Sequence, residues 1–327
     1  MAATDGARAA SGPHLGVQGT RFTLDGAPRF LLGISYYAGQ GAPDEILRPD
    51  LDEIRRCGFN WIRVWATWAA FGNDVAAVDP EGRPREPYLG RLKHLVAECG
   101  RRGLVVDVTL SRGNGVTGPP RLQSLETHRR AVETVVTRLR PHPNWYLDLA
   151  NERNLRDRRS VGYDELRDLR TLVRQRDPAS LVTASHASHD LTRDDVRAYL
   201  HTAGADFLAP HRPRHAESPG QTADRSREIL AWTRELGREV PLHYQEPFRR
   251  GFGNWQPPAT AFLADLDGAL AGGAAGWCFH NGDQRDHPEG RPRRSFDLRE
   301  QSLFDQLDGE ERAVLEGIRR LAPALGA

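Results

Sequence analysis

The fold class the sequence predicts is α/β: a single (β/α)8 TIM barrel with an N-terminal β-hairpin. Three observations carry it. Strand-like runs alternate with amphipathic helix-like stretches eight times over most of the 327 residues. The strand runs are continuously apolar, the pattern of a parallel sheet buried on both faces. Polar and aromatic residues collect at the carboxyl ends of those runs, where barrels carry chemistry because loops vary while strands stay fixed. A doubly wound sheet is the alternative, but no Gly-x-Gly-x-x-Gly follows the first strand to cradle a nucleotide.

Residues 1–15, rich in Ala, Gly and Ser, read as a loose tail, and 16–327 as one domain without repeat or linker. Thr20–Leu24 and Pro28–Gly33 flank Asp25-Gly26, a hairpin signal, and the second arm continues to Tyr36-Tyr37. A helix over 50–57 precedes strand Asn60–Trp65, and a helix over 89–102 precedes Leu104–Leu110. Helix 122–140 leads to strand 145–150, and helix 163–176, closed by Asp177-Pro178, leads to Leu181–Ser185. Helix 192–203 precedes Asp206–Ala209, helix 221–236 precedes Val240–Gln245, and helix 258–271 precedes Ala274–Phe279. A last helix spans about 309–322.

With 39% hydrophobic and 27% charged residues the chain can bury a full core. A formal charge of +1 gives no argument for nucleic acid or an anionic membrane, so neither is expected as a partner. Three cysteines, Cys57, Cys99 and Cys278, are too few and too scattered for a disulfide framework. No apolar run approaches the ~18 residues of a membrane span. The first residues lack the apolar core of a signal peptide, so a cytoplasmic protein is expected, or a secreted one if a leader has been removed. Oligomeric state is not legible.

The stretch that organises the chain is Trp145-Tyr-Leu-Asp-Leu-Ala-Asn-Glu152, a short buried strand ending in a polar pair. A second stretch, Val240-Pro-Leu-His-Tyr-Gln-Glu246, also ends in a carboxylate. Two carboxylates sharing one site are the minimum equipment for breaking a glycosidic bond: one gives a proton to the leaving oxygen, the other attacks or activates water. Asn151 can hydrogen-bond a sugar hydroxyl, and Arg63 can hold Glu246 ionised. His211 and Tyr244 add hydrogen bonds, Trp277 offers a flat face for a sugar ring, and Tyr36 and Trp65 complete the strand-end set. Taken singly, Glu152 reads as readily as a helix-start carboxylate and Glu246 as a loop residue before Pro247; the pair in this strand context favours catalysis. Asp107 and Asp148, inside strands, read as interior hydrogen-bond partners.

Asn151-Glu152 after the fourth strand, Glu246 after the seventh, Arg63 on the second and Trp277 on the eighth resemble the clan A glycoside hydrolases, nearest the cellulase-like family 5. The opening hairpin running into Leu-Leu-Gly-Ile-Ser-Tyr-Tyr resembles that family's entry into the barrel. The resemblance covers about residues 17–322. It implies a glycoside hydrolase-like catalytic domain acting on a β-linked oligo- or polysaccharide with retention. Glu152 is then acid/base and Glu246 nucleophile, with no cofactor and no metal. Two departures bear on substrate: His211-Arg212-Pro213 lacks the family's His-x-Tyr, and Ser111-Arg112-Gly113-Asn114 lacks its third-strand histidine.

Two other functions fit the same residues. His186, His211, His243 and His280 near the ends of strands five to eight suit a metal-dependent barrel hydrolase, although Ser35-Tyr36-Tyr37 stands where such enzymes carry His-x-His. A non-catalytic sugar-binding barrel is the third. Finally, Arg153, Arg156, Arg158, Arg159, Arg212, Arg214, Arg249, Arg250, Arg291, Arg293 and Arg294 all follow strands. If they line the mouth, an anionic saccharide is recruited. If they pair with Asp157, Glu217, Asp286 and Glu289, no such preference exists.

Overall fold

The computed structural model describes residues 12–113, 117–155, 158–285 and 294–325. Strands β1 (Leu15–Gln18), β2 (Arg21–Leu24) and β3 (Ala27–Arg29) form a small antiparallel sheet, so β1 begins inside the segment read as tail. β2 pairs with β3 across Asp25-Gly26, both at positive φ, as a two-residue turn requires if the strands are to keep their twist.

The main sheet is parallel and has seven strands. They are β4 (Leu31–Ser35), β5 (Trp61–Trp65), β6 (Val105–Thr109), β7 (Trp145–Asp148), β8 (Leu181–Thr183), β11 (His243–Tyr244) and β12 (Gly276–Phe279). Their order is β11-β12-β4-β5-β6-β7-β8. β9 (Ser185–His186) continues β8 and pairs in parallel with β10 (Ala209–Pro210), and a parallel bridge joins Leu208 to Leu242. Helices α1 (Asp44–Arg56), α2 (Tyr88–Arg101), α3 (Leu125–Leu139), α4 (Tyr163–Arg176), α5 (Arg193–Arg197), α6 (Ser218–Glu235) and α7 (Ala259–Gly272) occupy the crossovers. α8 (Leu303–Gln306) and α9 (Gly309–Leu325) complete the chain. α1 starts six residues before the expected position and runs through Pro49. The helix expected over 192–203 is a short α-helix followed by a π-turn over Ala198–Ala203.

Strand alternation divides the core in two. One face, bearing Leu32, Ile34, Ile62, Val64, Val106, Val108, Leu147 and Val182, packs under the helices. The other, bearing Leu31, Trp61, Val105, Tyr146, Leu181 and Cys278, packs together with Phe207, and Phe22 of the small sheet caps it. Trp61 fits there because Gly33 on β4 has no side chain: a Cβ would stand 1.5 Å from Trp61 Cε3. That inward face becomes polar toward the carboxyl ends, and there the candidate site begins.

Candidate active site

Arg63, on the inward face of β5, is fully buried and serves as the hub. Its Nε donates to Thr109 Oγ1 (3.1 Å) and faces Asp107 Oδ2 (3.1 Å). Its Nη2 donates to Asp148 Oδ2 (3.1 Å) and Asn151 Oδ1 (2.9 Å), and its Nη1 to Glu246 Oε2 (2.6 Å). One guanidinium therefore ties the ends of β5, β6 and β7 to Glu246, two residues after β11. Below it, Gln245 donates to Asp107 Oδ2 (2.8 Å), and His243 meets the Tyr146 hydroxyl (3.1 Å). Burial raises Asp107 to about 8, with Arg63 opposing and Asp148 adding to the rise.

Glu246 is 5% exposed and heavily engaged. Besides Arg63 it accepts from Arg214 Nη2 (2.6 Å), and His280 Nε2 lies 3.2 Å away. Burial alone would push its carboxyl up, but His280, His211 and Arg214 bring it well below the usual carboxylate range. His280 is itself lowered to about 3 by burial, against the pull of Glu246, so it is neutral at neutral pH. The formal charges bonded to Glu246 are thus the two arginines.

Glu152 follows β7 with φ +49°, a left-handed conformation that a non-glycine residue adopts only when held. The restraints are identifiable. Its N–H donates to Ser185 Oγ (2.9 Å), and Arg112 Nη2 donates to its carbonyl (3.1 Å) while Nη1 donates to that of Asn151 (3.2 Å). His211 joins the two acids: Nδ1 stands 3.3 Å from Glu152 Oε1 and 3.6 Å from Glu246 Oε2. One carboxylate oxygen of Glu152, one of Glu246 and a ring nitrogen of His211 lie within 4.8 Å of one another. Asn151 Oδ1 also accepts from Trp65 Nε1 (3.3 Å), which leaves its amide NH2 as a donor.

Glu152, Glu246, Arg63, Asn151, His211 and Trp65 therefore converge. Tyr36, Tyr244 and Trp277 do not, and these expectations are corrected. Each sits on the helix-facing side of its strand. Tyr36 donates to Asp50 Oδ2 on α1, Tyr244 meets Ser226 Oγ on α6, and Trp277 Nε1 donates to Asp265 Oδ2 on α7. The reason is strand parity: inward positions on β12 are 276, 278 and 280, and on β4 they are 31, 33 and 35. The residues one step along occupy the site instead. Tyr37 donates to the Asn281 carbonyl (2.6 Å), meets His280 Nδ1 (3.1 Å) and stacks on Trp65 at 4.7 Å. Counting alternation back from Arg63 and forward from Cys278 is the signal that would have selected Tyr37 and His280.

Trp68, Phe71 and Phe296 pack with Tyr37 as an aromatic cluster behind Trp65, and Trp255 packs on Phe248. The four strand-end histidines do not meet at one point. His211 and His280 flank Glu246, His243 lies below among Trp61 and Phe22, and His186 turns to His189 (Nε2–Nε2 3.3 Å) and Tyr199. A dication between Glu152, His211 and Glu246 would face the guanidiniums of Arg63 and Arg214, so that donor set suits a carboxylate pair better than a metal. Asn114, Arg156, Asp157, Asp286, Glu289, Arg291 and Arg293 lie outside the described residues.

No family model matches the chain, and no curated protein does. Solved structures match in fold. A candidate glycoside hydrolase from Bacteroides vulgatus aligns over 97% of this chain at 17% identity and TM-score 0.69, and the chain spans 62% of that protein's length. The endo-1,4-β-mannanase of Rhizomucor miehei aligns over 95% of this chain and 99% of its own (11% identity, TM-score 0.67). A glycoside hydrolase family 5 protein from Bacteroides vulgatus covers 94% of this chain and 71% of its own (12% identity, TM-score 0.70). The fold resembles that of glycoside hydrolase family 5.

Proposed function

We propose that this chain is a retaining glycoside hydrolase that cleaves a β-glycosidic bond, with Glu152 as acid/base and Glu246 as nucleophile. The observation that carries the reading is the pairing of two carboxylates whose oxygens approach within 4.8 Å, one of them held ionised by two arginines. Double displacement needs carboxyls ~5–5.5 Å apart, whereas direct attack by water needs ~6.5–9.5 Å to admit the water. The fold supports the same reading: structures it resembles include endo-1,4-β-mannanases.

Residues 16–327 then act as one catalytic domain, and the eight strands close a barrel. Supporting closure, Asp206 N–H donates to the Val182 carbonyl, Leu208 N–H to that of Pro241, and His243 N–H to that of Leu208. In the first step Glu246 attacks the anomeric carbon while Glu152 gives its proton to the leaving oxygen. In the second, Glu152 takes a proton from water as that water displaces Glu246 from the sugar, which returns both groups to their starting states. Asn151 donates its amide to a hydroxyl of the bound sugar, and His211 links the two acids through both steps. Among the described residues no helix is long and apolar enough to cross a membrane.

The test is turnover of a panel of aryl β-glycosides and β-linked polysaccharides, mannans included. Glu152→Gln is expected to lose ~10²–10⁴-fold on substrates whose leaving group needs a proton and far less on 2,4-dinitrophenyl glycosides, which leave without one. Equal losses on both would remove Glu152 from the acid's role. No turnover of any member would end the proposal.

A further inference from the structure

Arg249, five residues beyond β11, is a buried cation without a counter-ion among the described residues. It is 3% exposed, and its contacts are to neutral groups: Nη1 lies 3.0 Å from His280 Nε2, and Nη2 donates to Gln284 Oε1 at 2.5 Å. Its Nε has no hydrogen-bond partner, and no carboxylate among the described residues forms an ion pair with it. Four other arginines of these loops face carboxylates. Arg212 faces Asp190, Arg250 faces Asp308, Arg285 faces Asp283, and Arg294 faces Glu311 and Asp308. A guanidinium withdrawn from water and left with neutral partners carries an unmet electrostatic demand.

Its position says what would meet that demand. His280, which Arg249 touches, also touches Glu246, so the guanidinium is one imidazole away from the nucleophile. Arg214, 2.6 Å from Glu246 and 3.6 Å from Glu152, brings a second guanidinium to the same wall. Phe252 lies under both, 4.5 Å from Arg214 Cζ and 5.2 Å from Arg249 Cζ. Arg214 spends its charge on the acids; Arg249 does not.

We propose that the sugar bound between Glu152 and Glu246 carries a carboxylate, a uronic acid residue, which pairs with Arg249 and is flanked by Arg214. This rests on the hydrolase reading and names its substrate class. The planar guanidinium fork matches a carboxylate. A neutral sugar in the same place leaves Arg249 unpaired, and a site whose buried polar group goes unsatisfied discriminates strongly against the analogue that lacks the partner.

The experiment compares kcat/KM on matched 4-nitrophenyl pairs: β-glucoside with β-glucuronide, β-galactoside with β-galacturonide, and β-mannoside with β-mannuronide. For the pair the enzyme accepts, the uronide is expected to be favoured by about tenfold or more, and Arg249→Met is expected to bring the ratio near one. A binding arm does not depend on catalysis. The free uronic acids are expected to raise the melting temperature of the wild-type protein more than the corresponding neutral sugars, and to lose that advantage in Arg249→Met. Turnover of neutral glycosides without a uronide advantage overturns the inference while the hydrolase reading stands. Absence of all turnover overturns the hydrolase reading, and the binding arm then decides whether the carboxylate site survives it. If Arg249→Met does not fold, the two wild-type comparisons remain decisive.

Discussion

Glu246 is ionised because the arginines bonded to it outweigh the cost of burying it, and this sets a limit on the acid side of the reaction. As the proposed nucleophile Glu246 must be deprotonated, so the acid limb of kcat/KM reports its affinity for a proton in the free enzyme. That limb is expected well below the ordinary glutamate range of about 4.3. A limb at 4.5 or above that shifts with Glu246 substitutions would contradict the electrostatics described. Glu152 is constrained in its backbone. Its φ of +49° is strained for any residue with a Cβ, and the restraints from Ser185 and Arg112 hold it there. Glu152→Gly and Glu152→Ala both remove the carboxylate, but only glycine relieves the strain. The glycine variant is expected to be more stable than the alanine variant by up to about 1 kcal/mol in urea denaturation. Equal stabilities, or alanine the more stable, would place the strain elsewhere.

Strands β4 to β12 show what the sequence made legible at the level of elements. The apolar runs and their polar ends were readable because a buried parallel strand must be apolar throughout and its last residue reaches the loop side. That located Arg63, Asn151, Glu152, His211 and Glu246. The face each residue takes was harder, because a run apolar on both sides carries no alternation to count, and a slip of one residue reverses every side chain. Tyr36, Tyr244 and Trp277 were misplaced for this reason, while Tyr37 and His280 beside them line the site. Charge on the inward face carries its own consequence. Asp107 on β6, fully buried beside Asp148, is raised to about 8 from an ordinary value of about 3.9. The folded protein therefore holds a proton across that window which the unfolded chain releases. Its contribution to stability is complete below about pH 3.9 and is lost as pH rises toward 8. In Asp107→Asn that dependence is absent. The stability difference between wild type and variant, from urea curves at pH 5, 6, 7 and 8, is expected to change by on the order of 1 kcal/mol per pH unit, to the disadvantage of wild type as pH rises. A difference independent of pH would show that Asp107 is ionised throughout.

Across the whole molecule, one buried guanidinium on β5 links the two segments that carry the acids. Glu152 lies four residues beyond β7 and Glu246 two beyond β11, and Arg63 on β5 bonds Glu246, Asp148 and Asn151, the neighbour of Glu152, so the gap is restrained from the sheet. A gap held this way determines stereochemistry. On the proposed reading, oxygens within 4.8 Å leave no room for a water on the far side of the sugar, so the second carboxylate itself attacks and two inversions give net retention. Removing the Glu246 side chain opens that space. In Glu246→Ala, turnover is expected to fall by several orders of magnitude, and azide is expected to restore part of it by occupying the vacated position. A single displacement then replaces the double one, so the glycosyl azide must carry the opposite anomeric configuration to the wild-type product. Proton NMR of the first-formed products distinguishes the cases. Retention by wild type with an inverted azide from Glu246→Ala is the expected pair of results. An inverted product from wild type would mean that a water fits between the acids, and that Glu246 is a base and not a nucleophile.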